Sequence, residues 1–140
     1  LFKRWLNKKA LGIQPIKLVD FLKAKGNAIL DASDNEMMAF AKEYLGYKHN
    51  KGPDFVGRFN GKYVIGEAKF LTDFGGHQNA QFNDAIATVK AKGVKATTVA
   101  ILDGVLYIKG KNKMYKNING KLKNENIISV LVLREFLYQL

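Results

Sequence analysis

At 140 residues the chain is sized for one core that buries about two-thirds of its unfolded surface, and no second core is expected. Its 23 Lys+Arg against 12 Asp+Glu leave a net charge of +11, the balance of a domain that meets a polyanion, and 47% hydrophobic residues exclude a disordered basic tail. There is no cysteine, so disulfides and thiolate zinc sites are excluded, and no apolar run nears the roughly 20 residues of a membrane span. No signal peptide is visible at Leu1, and a first residue other than Met is what a fragment of a longer chain would show.

Residues 1–10 are spaced as an amphipathic helix, with Leu1, Phe2, Trp5 and Leu6 on one face, cations on the other, and Gly12 as its stop. A second helix is expected after Pro15, with Ile16, Leu18, Val19 and Leu22 inward and an end at Gly26. Across residues 1–25 seven Lys/Arg face a single acid, Asp20. Two solvated helix faces account for this about as well as a surface for the DNA backbone.

Ser33-Asp34-Asn35-Glu36 is a capping box that opens a helix running to Leu45, with Met37, Phe40, Ala41, Tyr44 and Leu45 packing on a sheet. Tyr47 to Lys51 has room for a first strand, and His49 reads as a surface histidine or a phosphate contact.

From Gly52 to Phe70 the chain reads as a β-hairpin. Asn60-Gly61 sits between β-branched and aromatic runs and suits a two-residue type I′ turn. Such a turn pairs Phe59 with Lys62, Arg58 with Tyr63 and Val56 with Ile65, which brings Asp54 opposite Glu67. Lys69, two residues beyond Glu67, projects from the same face. Two opposed carboxylates repel, so a divalent metal held by oxygen ligands is the natural occupant between them, and the metal-free pair is expected to hold a proton tightly. An edge hairpin with a solvated Glu67–Lys69 ion pair is the plainer alternative. On the opposite face Phe55, Phe59, Val64 and Phe70 accompany Gly57, Gly66 and Ala68, small residues that leave room for a helix to approach.

After a loop at residues 71–76, a helix is expected from about His77 to Lys92, with Ala80, Ala85, Ile86 and Val89 inward and Phe82 flanking. Its first turns display His77, Gln78, Asn79 and Gln81 at a terminus that favours anions, a place to hold a phosphate or read a base edge, or else a plain polar helix start. Residues 95–102 read as a buried strand reached by a right-handed crossover and parallel to its partner. Asp103-Gly104 then reads as a turn into a strand over 105–109. Residues 109–123 hold six lysines and no acid, and suggest a basic hairpin turning at Asn119-Gly120 in which Lys111 and Lys113 would touch DNA, although a merely solubilising loop accounts for the segment nearly as well. Residues 125–140 read as a helix that caps the core or meets a second subunit.

Pro53-Asp54, twelve residues, then Glu67-Ala68-Lys69 resembles the PD-(D/E)XK nuclease superfamily, and residues 66–78 are similar to type II restriction endonucleases. The resemblance implies an α/β, restriction-endonuclease-like core at 33–109, a mixed central sheet flanked by helices. Extra N-terminal helices at 1–32 and a basic hairpin with a C-terminal helix at 110–140 complete it. It implies Mg²⁺, or Mn²⁺ in its place, held by Asp54, Glu67 and the backbone carbonyl of Ala68, with Lys69 beside the attacking water. Glu36 or Glu43 is the residue it offers as an extra metal ligand. Further implications are sequence-specific cleavage of double-stranded DNA, a homodimer and a prokaryotic cytoplasm. A structure-directed repair or junction-resolving nuclease, or a non-catalytic basic DNA-binding module, are the alternatives.

Overall fold

A computed structural model describes residues 1–140. Asn60 (φ 53°) and Gly61 (φ 78°) both take the left-handed conformation that a two-residue I′ turn demands. The sheet around this turn contains β1 (Ala28–Ile29), β2 (Phe55–Phe59), β3 (Lys62–Leu71), β4 (Thr97–Gly104) and β5 (Ile127–Ile128). They lie side by side in chain order, β1 to β3 antiparallel and β3 to β5 parallel. The fold is thus a mixed α/β sheet flanked by helices, compatible with the restriction-endonuclease-like core expected from the sequence.

Six helices cover it: α1 (Phe2–Asn7), α2 (Leu18–Lys23), α3 (Asp34–Leu45), α4 (Gly76–Val89), α5 (Lys113–Asn119) and α6 (Leu133–Tyr138). Strand alternation sorts the apolar side chains to two faces. On one, Val56 and Ile65 pack with Phe21, Met37, Phe40, Ala41 and Leu45 from α2 and α3. Further along that face, Leu71, Ala100 and Leu102 meet Phe82, Ala85 and Val89 of α4 and Met114 of α5. On the other, Phe55, Phe59, Val64, Val99 and Ile101 meet Leu6 of α1 and Leu133 and Leu137 of α6.

The capping box forms as the sequence requires: the Ser33 hydroxyl accepts from the Glu36 N–H, and the Glu36 carboxylate accepts from the Ser33 N–H. Gly46, left-handed at φ 70°, ends α3. The crossover through α4 delivers β4 parallel to β3, as expected.

Elsewhere tertiary context overrides local reading. In α2 the buried residue is Phe21, while Val19 and Leu22 are exposed. Tyr44 and Ala80 also face solvent, and Phe82, expected only to flank, is buried in the core. Residues 47–51 form no strand, because the antiparallel partner of β2 is the two-residue β1 upstream of α3. Phe70 is 64% exposed rather than packed. Gly57 gives its room not to a helix but to the rings of Phe55 and Phe59, which an added Cβ would meet at 3.0 Å.

Asp103-Gly104 makes no hairpin. β4 continues through Gly104 into a 3₁₀ turn at Val105–Tyr107, and a Cβ on Gly104 would collide with the Leu71 carbonyl of the neighbouring strand. The expected basic hairpin is instead α5, with the Asn112 side chain accepting from Tyr115 N–H as its cap. The expected single C-terminal helix divides into β5, a 3₁₀ turn at Val130–Val132 and α6. The Asp103 carboxylate explains the division: it accepts from the Ser129 hydroxyl and from Val130 N–H at 2.9 Å, so the chain turns there after β5 pairs with β4. Asp103→Ala is therefore expected to cost about 2 kcal/mol in urea unfolding, with weakened protection of the Val130 amide in hydrogen exchange; an unchanged midpoint would contradict this anchoring role.

Candidate active site

The β2–β3 register is the one the turn dictates, with Phe59 opposite Lys62, Arg58 opposite Tyr63, Val56 opposite Ile65 and Phe55 opposite Gly66. The next step in that register is Asp54 against Glu67, and there the ladder ends. Asp54 lies just before β2, and its Oδ2 accepts a 2.8 Å hydrogen bond from Ala68 N–H. A side chain thus serves the backbone group that β2 no longer reaches.

Glu67 is 1% exposed, the most deeply buried acid in the chain. Lys69 Nζ stands 3.3 Å from its Oε1, so the three residues Asp54, Glu67 and Lys69 come together at the open end of the hairpin. Lys51, which the sequence did not single out, reaches the same oxygen at 2.9 Å from the loop before Pro53. These lysine contacts are ion pairs by distance without hydrogen-bond alignment, and Glu67 Oε2 is buried with no partner at all. An unmet carboxylate oxygen in a dry setting is costly unless a cation reaches it. The donor set therefore fits a hard divalent ion.

No third His, Cys, Asp or Glu joins Asp54 and Glu67 in a metal-binding cluster. Glu36, offered as an extra ligand, has its Oε1 committed to Ser33, and that backbone hydrogen bond holds its pKa below the usual value. Glu43 lies exposed on α3.

At the start of α4 the four polar residues divide. Gln78 Oε1 accepts from Thr72 N–H and Asn79 Nδ2 donates to the Phe74 and Gly75 carbonyls, so both stitch the loop after β3. His77 and Gln81 pair with each other at 3.0 Å on the exposed side. Lys111 and Lys113 are exposed on either side of Asn112, the cap of α5. α1 and its C-terminal cap adjoin the hairpin end: Arg4, Trp5 and Lys8 share a cleft of about 550 Å³ with Ala68, Lys69 and Phe70. Lys3, by contrast, is tied to Asp31 and the Ala32 carbonyl.

Burial, and then the charge of Asp54, push the Glu67 pKa above its ordinary value of 4.5, with Lys51 and Lys69 opposing. Desolvation leads here, where the sequence pointed to like-charge repulsion. In the metal-free protein the unfolded chain releases this proton first, so stability falls as pH rises above 4.5 toward the raised folded value. Asp31, held low first by its hydrogen bond from Lys17, acts oppositely and below 3.8, so the two windows separate. In EDTA, Glu67→Gln is expected to remove the falling segment above pH 4.5 from the urea midpoint profile; superimposable profiles for the two proteins would contradict it.

Over residues 1–140 the chain matches the family described as Tsp45I type II restriction enzyme. No curated protein and no solved structure matches it. With its whole length covered by that match, and a mixed sheet that carries an acid, an acid and a lysine at one hairpin end, the chain belongs to the Tsp45I type II restriction enzyme family.

Proposed function

We propose that this chain is a Mg²⁺-dependent type II deoxyribonuclease of the PD-(D/E)XK kind, hydrolysing phosphodiester bonds of double-stranded DNA at a specific sequence. The observation that carries the proposal is the meeting of Asp54, buried Glu67 and Lys69 at the end of one hairpin, with Glu67 Oε2 unpartnered. Family membership supplies the substrate class. A homodimer acting in a prokaryotic cytoplasm follows from that reading, since each strand of a duplex needs a catalytic centre.

Asp54 and Glu67 would hold Mg²⁺, with Mn²⁺ able to substitute. The Ala68 carbonyl would join them, since backbone groups of one residue on a strand point to the same side and its N–H already faces Asp54. When bound, the ion acidifies a water and offsets charge on the phosphate. Lys69, 18% exposed and paired to Glu67, orients the attacking water and favours its deprotonated form. Asp54 is fixed through Oδ2 by Ala68 N–H, which leaves its second oxygen free to take the ion. Arg4 of α1 and Lys8 just after it, in the cleft beside Lys69, and exposed His77 and Gln81 contact the DNA backbone or base edges.

Long DNA incubated with the protein is expected to give discrete fragments in Mg²⁺ and none in EDTA, and Asp54→Ala or Lys69→Met to slow cutting at least about a hundredfold. Cleavage that persists in EDTA, or an Asp54→Ala enzyme of undiminished rate, would overturn the assignment. Cutting confined to branched substrates would point to the junction-resolving alternative. DNA affinity measured in Ca²⁺ should fall steeply with salt, and a flat dependence would remove the lysine-rich surface as a backbone contact.

A further inference from the structure

Resting on the metal-centre reading above, we infer that Lys51 competes with the divalent cation for Glu67, and that Asp84 is the second seat its ammonium takes when a cation displaces it. Lys51 Nζ lies 2.9 Å from Glu67 Oε1, closer than Lys69 at 3.3 Å, so two ammonium groups crowd one carboxylate oxygen. Such crowding exceeds what the pairing of Lys69 alone needs. Lys51 stands at the carboxylate a divalent ion would use, as a monovalent cation supplied by the chain itself.

The same ammonium is 3.8 Å from Asp84 Oδ2 on α4, so its two acidic neighbours lie within reach of one side-chain rotation. The backbone beside it is pinned. A Cβ on Gly52 would meet the Asp34 carbonyl at 2.6 Å and Met38 N at 3.2 Å, so the loop is pressed against the first turn of α3. Lys51's side chain is 55% exposed and Asp84's is 59% exposed, against 1% for Glu67. The moving part is therefore the lysine stem, turning between a buried seat and a solvated one.

Formal charge explains the consequence. With Lys51 on Glu67, two carboxylates and two ammonium groups cancel, and an arriving divalent ion meets no net attraction. With Lys51 on Asp84, the centre of Asp54, Glu67 and Lys69 carries one negative charge. Lys51 thereby sets the cation concentration at which the centre loads, and it leaves the buried carboxylate partnered when no ion is present. It is a positioning residue rather than a catalytic one.

The test uses the full chain without DNA: Ca²⁺ affinity by calorimetry, with the site located by Mn²⁺ broadening of amide resonances. Lys51→Met is expected to bind Ca²⁺ about tenfold more tightly than the wild type, while Lys51→Arg stays near it. Asp84→Asn is expected to weaken binding about threefold in the wild type and to have no effect in the Lys51→Met background. Broadening should centre on residues 54, 67 and 68 throughout. Unchanged affinity in Lys51→Met with broadening still at those residues would overturn the competition and leave the metal centre standing. An Asp84 effect that persists without Lys51 would overturn the second seat. Absence of broadening there in the wild type and in Lys51→Met alike would remove the metal centre, and this inference with it.

Discussion

A two-residue turn fixes which side chains of β2 and β3 meet, and the register it imposes carries from Phe59–Lys62 to the end of the ladder at Phe55–Gly66. Register in a hairpin is discrete, because a slip of one residue would send every side chain to the opposite face. Asp54 and Glu67 therefore meet at the hairpin's open end, because the turn at Asn60-Gly61 lies where it does. The ladder stops one step short of the acids, which frees Asp54 to reach across and take Ala68 N–H.

The sheet then sets the electrostatic character of the site. Glu67 projects between the α3 and α4 portions of one face, where Tyr47 and Thr88 bridge α3's end to α4 by a buried hydrogen bond. Burial there opposes ionisation, and two lysines answer it on one oxygen only. A carboxylate held in this way costs the fold something. On the other side of the strand end, α1 and its C-terminal cap bring Arg4 and Lys8 beside Lys69, so a positively charged wall adjoins the acidic point.

What the sequence disclosed is what local chemistry decides. The Asn60-Gly61 turn and the Ser33–Glu36 box depend on residues adjacent in the chain, and both formed; the crossover strand also formed, from a continuous apolar run that reads as buried wherever its partner lies. The C-terminal third misled because its signals were completed from elsewhere. Ile127 and Ile128 are strand only because the edge of β4 is open to them, and Asp103 determines the break that follows. Asn119-Gly120 resembles a hairpin turn in isolation, yet the Asn112 cap had already started a helix that Gly120 ends. β1, two residues long, has no periodicity to detect. Asp54, Glu67 and Lys69 could be placed on one face before any coordinates, whereas Lys51 was one basic residue in a basic loop, and only the distance to Glu67 distinguishes it.

A cation seated between the two hairpin carboxylates is tested most directly by anomalous scattering from crystals of the chain grown with DNA and Mn²⁺. A peak is expected within bonding distance of both the Asp54 and Glu67 carboxylates, at the open end of the β2–β3 hairpin. Ordered Mn²⁺ found only at other positions, with both carboxylates free of metal, would contradict it.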